Sequence, residues 1–129
     1  MMASDLMTRD IITVSPNIKV KDLALVFIKN QISGAPVVDK NGKILGIVSE
    51  ADIVAKRGKD AKALMSKKVI SVPLDASVEE IAQLMATHAI KRLPVMDGGK
   101  IIGIVSRADI VNAVAMGEHI ALHAPVYDL

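Results

Sequence analysis

The sequence predicts an α+β architecture in which two copies of a β-α-β-β-α unit pack face to face about a pseudo-twofold axis. The first observation is an internal repeat, because MTRDIITV at residues 7–14 recurs as MSKKVISV 58 residues later. A longer segment, GKILGIVSEADIV at residues 42–54, recurs 57 residues later with 11 of its 13 positions identical. The second observation is that strand-like and helix-like apolar patterns alternate within each copy. Since 129 residues are too few for a solenoid, we expect one domain made of residues 1–58 and 59–129, the second copy carrying a C-terminal tail.

Each copy opens with a short extended piece followed by a helix. The extended pieces are residues 11–14 and 69–72, and each leads into a turn that contains proline. Apolar side chains then recur at helical spacing over residues 20–28 and 78–85, which predicts an amphipathic helix in each copy. Ser77 stands where the second of these helices starts and predicts a capping box there.

A β-hairpin and a second helix complete each copy. The hairpin strands are predicted at residues 36–38 and 43–48 in the first copy and at residues 94–96 and 101–105 in the second. Gly42 and the pair Gly98-Gly99 supply the positive φ angles of the tight turns between the strands. The second helices are expected to begin near Glu50 and near Arg107.

Composition excludes several classes of protein. The chain has no Cys, which removes disulfides, thiolate zinc sites and cysteine nucleophiles. Aromatic residues make up 2% of the chain against 51% hydrophobic residues, so aliphatic side chains must build the core and hold any planar ligand. No apolar run approaches the roughly 20 residues of a membrane span, and no signal peptide is visible. We therefore expect a soluble cytoplasmic protein with no membrane partner.

Charge and motif content argue against nucleic-acid binding and catalysis. The net charge of +2 gives no strong field, so nucleic acid is not an expected partner. The basic pairs Lys56-Arg57 and Lys67-Lys68 are interpreted as solvated surface. No nucleophile with a base and no GxxxxGK loop is visible, so we do not expect an enzyme. His119 and His123 have the spacing of metal ligands on a helix, but no third ligand is evident, which favours an ordinary tail and no metal site.

Three motifs that occur twice in register resemble those of the CBS (cystathionine-β-synthase) domain family. They are the Met-Ser/Thr start, the small or basic tripeptide before Pro-Val, and GIVSxADIV, and the resemblance covers about residues 4–114. It implies a tandem pair of CBS repeats, a Bateman module, whose sheets pack together and leave two symmetry-related clefts. Such pairs associate as homodimers. Members commonly sense adenine nucleotides, as the γ subunit of AMP-activated kinase does, others bind S-adenosylmethionine, and some bind nothing known.

A Ser–Asp pair lies at the predicted strand-to-helix junction of each copy. The pairs are Ser49 with Asp52 and Ser106 with Asp109. Spacing alone favours a helix cap, in which the serine hydroxyl and the carboxylate bond backbone donors. The same carboxylate has the acceptor oxygens to hold both hydroxyls of a ribose, and the resemblance implies this role for both pairs.

The strongest asymmetry between the copies is the tripeptide before Pro-Val. Lys91 and Arg92 in the second copy replace Ser33 and Gly34 of the first. The resemblance implies that this basic pair anchors ligand phosphate, Arg92 through a fork of donors and Lys91 as a point charge. The alternative is a solvent-facing basic pair. Ser33 is a further candidate to bond a phosphate or ribose oxygen.

The resemblance also implies which residues share a cleft. One cleft is expected to combine Ser106 and Asp109 with residues 8–12, Ile32 and Ser33. The other is expected to combine Ser49 and Asp52 with residues 66–70, Ile90 and Lys91. The candidate residues of the adenine pocket are Arg9, Ile11, Ile32, Lys67, Val69 and Ile90.

These patterns together predict a regulatory module rather than a catalyst. The expected ligand is an adenosine-containing nucleotide such as AMP, ADP or ATP, bound as a regulatory ligand rather than a cofactor in the clefts between the repeats. The expected partners are a second copy of the chain and a protein effector regulated in trans. The alternatives are a ligand-free oligomerisation or interaction module, or a module that binds S-adenosylmethionine or NAD.

Overall fold

The computed structural model describes residues 1–118, and they form two compact units whose boundaries differ from those of the sequence copies. The repeat-one unit is Ile12–Val69, and the repeat-two unit is Met1–Ile11 together with the chain from Ile70 onward. Each copy therefore contributes its opening segment to the unit formed by the rest of the other copy. The first eleven residues pack with the second copy, and the equivalent residues before Ile70 pack with the first.

The described chain contains six helices and five strands. In chain order they are α1 (Ala3–Leu6), α2 (Val20–Asn30), β1 (Gly34–Val38), β2 (Ile44–Ser49), α3 (Glu50–Ala55), α4 (Ala61–Leu64), β3 (Val72–Pro73), α5 (Val78–His88), β4 (Arg92–Asp97), β5 (Lys100–Ser106) and α6 (Arg107–Ala115). This content of helices and strands confirms the predicted α+β class. The short helices α1 and α4 were not predicted, because four residues are too few to show helical periodicity.

Each unit contains one antiparallel hairpin, β1–β2 or β4–β5, close to the positions predicted from sequence. The extended piece before each hairpin pairs with it in parallel but is shorter than predicted. It forms the two-residue strand β3 in the repeat-two unit and a single bridge between Val14 and Val37 in the repeat-one unit. Pro16 lacks the N–H that would extend the ladder beyond Val14. Pro73 is the last residue of β3, and each proline leads the chain into the turn before α2 or α5.

Each unit has its own cluster of buried aliphatic side chains between its first long helix and its hairpin. The largest fully buried aliphatic side chains in the repeat-one unit are Leu23, Val37, Val48 and Leu64. Those in the repeat-two unit are Ile81, Leu93, Val95 and Val105. Burial of this kind contributes about 1.5–3 kcal/mol for each aliphatic side chain, so both units can order the junctions at the ends of their hairpins.

The exchanged segments join the hairpins through the two Met-Ser/Thr motifs. In the repeat-two unit the N–H of Thr8 donates to the carbonyl of Ile104 at 2.8 Å, and the N–H of Ile104 donates back at 3.0 Å. In the repeat-one unit Ser66 and Ile47 form the same reciprocal pair at 2.8 and 2.9 Å. The hairpin residue of each bridge lies two positions before the serine of a predicted ribose site. The exchanged segments therefore stabilise the end of the strand at both sites.

Glycine is required where each exchanged methionine crosses its hairpin. A Cβ added at Gly103 would lie 2.5 Å from the Sδ of Met7. A Cβ added at Gly46 would lie 2.5 Å from the carbonyl oxygen of Ser66 and 2.8 Å from the Sδ of Met65. The repeated Met-Ser/Thr start and the repeated Gly-Ile-Val-Ser therefore form one tertiary contact in each unit.

The C-cap of α5 offers a direct test of the local conformation. Ala89 has a φ of 53° and lies in the left-handed region, where a Cβ is unfavourable and glycine is the preferred residue. We expect Ala89→Gly to raise the free energy of unfolding by about 1 kcal/mol, measured by urea denaturation. Ala86→Gly, in the interior of the same helix, is the control and should lower it by about 1 kcal/mol. Equal losses in both variants would show that Ala89 is not left-handed.

Candidate functional site

The junction between β2 and α3 holds the first predicted Ser–Asp pair in a reciprocal capping box. The backbone N–H of Asp52 donates to the Oγ of Ser49 at 3.2 Å. In return, the N–H and the Oγ of Ser49 both donate to the Oδ2 of Asp52, at 2.9 and 3.1 Å. Both side chains are half-buried. The helix-cap interpretation of this pair is therefore confirmed, and its ribose-binding role stays a prediction.

The junction between β5 and α6 repeats this arrangement. The N–H of Asp109 donates to the Oγ of Ser106 at 3.2 Å. The N–H and the Oγ of Ser106 donate to the Oδ2 of Asp109 at 2.7 and 3.0 Å. In both units the serine is the last residue of a strand and the aspartate is the third residue of the helix that follows. The same two residue types at the same spacing therefore fix both carboxylates.

The capping box uses only half of each carboxylate. An ionised carboxylate offers about four lone-pair positions, two on each oxygen. The serine N–H and hydroxyl occupy the two positions on Oδ2, which leaves Oδ1 to accept bonds from other donors. Capping and ligand binding are therefore compatible at these residues. The serine hydroxyl has already donated its proton to the cap, so Ser49 and Ser106 retain only an acceptor for a ligand.

The two carboxylates differ in what surrounds Oδ1. The ammonium of Lys56 lies 2.9 Å from the Oδ1 of Asp52. Among residues 1–118 no donor contacts the Oδ1 of Asp109. Lys56 is exposed, as predicted for solvated surface, and its ammonium forms this ion pair as well. The spacing of four residues between Asp52, in the first turn of α3, and Lys56, the residue after its end, was the sequence signal for the ion pair.

The tripeptides before Pro-Val lie beside the junctions. Arg92 is directly opposite Ser106 in the β4–β5 register, and the carbonyl of Lys91 accepts a 2.7 Å bond from the N–H of Arg107. In the repeat-one unit the carbonyl of Ser33 accepts the equivalent bond from the N–H of Glu50 at 2.9 Å. Lys91 is exposed and Arg92 half-buried. The basic pair and the carboxylate of Asp109 therefore belong to one unit.

The predicted adenine-pocket residues are divided between the units. The aliphatic candidates are all half-buried, namely Ile11 and Ile90 in the repeat-two unit and Ile32 and Val69 in the repeat-one unit. Arg9 and Lys67 are exposed. Within one unit the structure brings residues 8–11 close to Ser106 through the Thr8–Ile104 bridge. The groupings that join residues of different units stay predictions.

The acidic and histidine side chains and the helices also bear on metal binding and on membrane insertion. Within residues 1–118 no three His, Asp or Glu side chains are grouped so as to hold a metal ion. His119 and His123 lie outside the described residues. No helix in the same range has the length and apolar character needed to cross a membrane.

The chain belongs to the CBS domain family. The family model, described as "CBS domain", matches residues 3–58 and residues 61–116. The resemblance inferred from the repeated motifs is therefore confirmed, and both Ser–Asp junctions lie inside the matched residues.

Several known proteins are similar to this chain. CBSX2, whose crystal structure was determined in complex with AMP, is 29% identical with a TM-score of 0.84, covering 89% of this chain and 96% of that one. The CBS domain pair of protein MJ0100, solved with 5'-methylthioadenosine and S-adenosyl-L-methionine, is 30% identical with a TM-score of 0.83, covering 92% and 98%. Inosine-5'-monophosphate dehydrogenase of Methanocaldococcus jannaschii is 36% identical over 85% of this chain, which spans only 23% of that enzyme.

Proposed function

We propose that the chain is a regulatory module that binds an adenosine-containing ligand at its Ser–Asp junctions and performs no catalysis itself. The observation that carries the proposal is the orientation of the two carboxylates. Each is fixed by a capping box through Oδ2 that leaves Oδ1 as a further acceptor, and at Asp52 the ammonium of Lys56 already contacts this oxygen. A ribose supplies the matching donors in its 2'- and 3'-hydroxyls.

The similar structures support this ligand class. CBSX2 was solved with AMP, and the MJ0100 domain pair with 5'-methylthioadenosine and S-adenosyl-L-methionine. These three compounds share an adenosine moiety and differ at the 5' position. A hydrogen bond to a charged carboxylate contributes about 1.5–3 kcal/mol, so recognition of the shared ribose can supply much of the affinity.

The basic pair favours a phosphorylated ligand. Lys91 and Arg92 are fixed beside the β5–α6 junction by the β4–β5 register and by the bond from the N–H of Arg107 to the carbonyl of Lys91. Cationic donors of this kind bind phosphate strongly. We therefore propose an adenine nucleotide of the AMP, ADP or ATP type, with Lys91 and Arg92 as phosphate ligands and the half-buried aliphatic candidates around the base.

We further propose that the chain forms a homodimer in the cytoplasm and regulates a protein effector in trans. Several large apolar side chains project from its helices, including Ile28, Val54 and Val111, which are 74%, 87% and 60% exposed. Contact with a second copy of the chain would remove this apolar surface from water, which is favourable. In inosine-5'-monophosphate dehydrogenase the similar segment is part of a longer enzyme, which fits a regulatory role beside a catalytic partner.

The ligand is tested by calorimetry with AMP, ADP, ATP, NAD and S-adenosylmethionine. We expect AMP to bind the wild-type chain, and 2'-deoxy-AMP to bind roughly ten-fold more weakly because one charge-assisted hydrogen bond is lost. Lys91→Met and Arg92→Met should weaken AMP binding while leaving adenosine binding unchanged. Absence of binding by every compound would contradict the proposal and favour the alternative of a ligand-free oligomerisation module.

A further inference from the structure

The ammonium of Lys56 occupies the acceptor that a ribose would need at the repeat-one site. Its Nζ lies 2.9 Å from the Oδ1 of Asp52, the oxygen that Ser49 leaves available. It also donates to the carbonyl oxygen of Leu64 at 3.1 Å. Because Leu64 ends α4, the ammonium connects the ribose site to the helix that precedes the exchanged Met65-Ser66 segment.

The Asp52 carboxylate has too few acceptor positions to bind the Lys56 ammonium and both hydroxyls of a ribose at the same time. The ion pair therefore competes with the ligand. Oδ2 of Asp52 already accepts two bonds from Ser49. Oδ1 has about two lone-pair positions, and Lys56 takes one of them. A ribose that places both hydroxyls on this oxygen must therefore displace the ammonium, whereas the Leu64 carbonyl keeps the displaced ammonium within reach.

The repeat-two site lacks this competitor. Lys56 corresponds to Ala113 at the repeat offset of 57, and Ala113 is fully buried in the core of its unit. Its methyl group donates no hydrogen bond. Over residues 1–118 the Oδ1 of Asp109 accepts from no other side chain either. Two junctions with identical capping boxes thus differ in one residue that contacts the carboxylate.

We propose that Lys56 is an intramolecular competitor that weakens ligand binding at Asp52 and has no counterpart at Asp109. This inference rests on the proposed function, because it concerns the same carboxylates and the same adenosine-containing ligand. The Lys56 side chain is 45% exposed and that of Asp52 15% exposed, so solvent screens the ion pair in part. The penalty on binding is accordingly modest, about two- to five-fold in Kd.

The test isolates the Asp52 site by using the Asp109→Ala background. Kd for AMP is measured by calorimetry in this background with Lys56, with Lys56→Met and with Lys56→Arg. Methionine keeps the aliphatic stem and removes the donors, so we expect Kd to fall about two- to five-fold. Arginine restores a cationic donor and should return Kd toward that of the parent. Thermal unfolding of each variant establishes that the units remain folded.

The matched control places Lys56→Met in the Asp52→Ala background, where AMP can bind only at Asp109. Kd should then be unchanged, and a change there would overturn the inference by showing a general effect. An unchanged or higher Kd in the Asp109→Ala background, or no AMP binding there with either residue at 56, would also overturn it while leaving the proposed function standing. Failure of the wild-type chain to bind any compound of the panel would remove both.

Discussion

Gly46→Ala should destabilise the repeat-one unit by about 2–3 kcal/mol, and Gly103→Ala should destabilise the repeat-two unit by about 1–2 kcal/mol. Both added methyl groups would come within 2.5 Å of another atom, but the atoms differ. At Gly46 the atom is the backbone carbonyl oxygen of Ser66, which accepts a 2.9 Å hydrogen bond from the N–H of Ile47. At Gly103 it is the Sδ of Met7, and the Cγ and Cβ of Met7 lie 2.9 and 3.0 Å away. A side chain can relieve such a contact by changing its rotamer, whereas a hydrogen-bonded carbonyl moves only with the backbone. Urea denaturation of the full chain measures both changes.

Both glycine variants can be repeated in chains whose neighbouring methionine is replaced by alanine. This separates a contact with the methionine side chain from a contact with the backbone. Met7→Ala removes the Sδ and Cγ that lie nearest to the added methyl at residue 103 and keeps the Cβ at 3.0 Å, so Gly103→Ala should cost about 0.5–1 kcal/mol in that background. Met65→Ala leaves the Ser66 carbonyl in place, so Gly46→Ala should keep most of its cost. If both glycine variants were rescued equally, the backbone contact at Ser66 would not be the cause of the larger effect.

Local patterns were sufficient to predict the longer helices and the hairpins but not how the two sequence copies exchange segments. The hairpins follow from the turn glycines and from short apolar runs, and α2 and α5 follow from helical periodicity. The exchange of opening segments depends on the contact between Met7 and Gly103, two residues far apart in the sequence. Sequence similarity shows that two segments are equivalent, but it carries no information about which hairpin each contacts.

The candidate site shows the same division between local and long-range information. The serine and aspartate of each junction were predicted because their spacing fits a cap and the repeated motif resembles that of a known family. The sequence places a lysine four residues after Asp52 and an alanine four residues after Asp109, but this spacing alone does not show that an ion pair forms. The ion pair depends on where the Lys56 side chain points and on the Leu64 carbonyl that helps to hold it, and neither follows from the residue type.

Asp109→Asn and Ser106→Ala should rank in opposite order for the loss of stability and for the loss of ligand affinity. The asparagine carbonyl oxygen can still accept from the N–H and the Oγ of Ser106, so stability should fall by less than about 1 kcal/mol. The charge and the second acceptor oxygen are lost, however, so the charge-assisted bonds to a ribose become weaker or disappear. We expect AMP to bind at least ten-fold more weakly to this site, measured by calorimetry in the Asp52→Ala background.

Ser106→Ala removes the hydroxyl that caps α6 and leaves the Asp109 carboxylate ionised. Loss of a serine N-cap costs about 0.5–2 kcal/mol, so this variant should be the less stable of the two. Its affinity for AMP should change by less than about three-fold, because the serine hydroxyl already donates its proton to the Oδ2 of Asp109. If Asp109 served only to cap the helix, affinity would be the same in both variants and only stability would vary. The opposite ranking of the two variants therefore separates a binding carboxylate from a purely structural one.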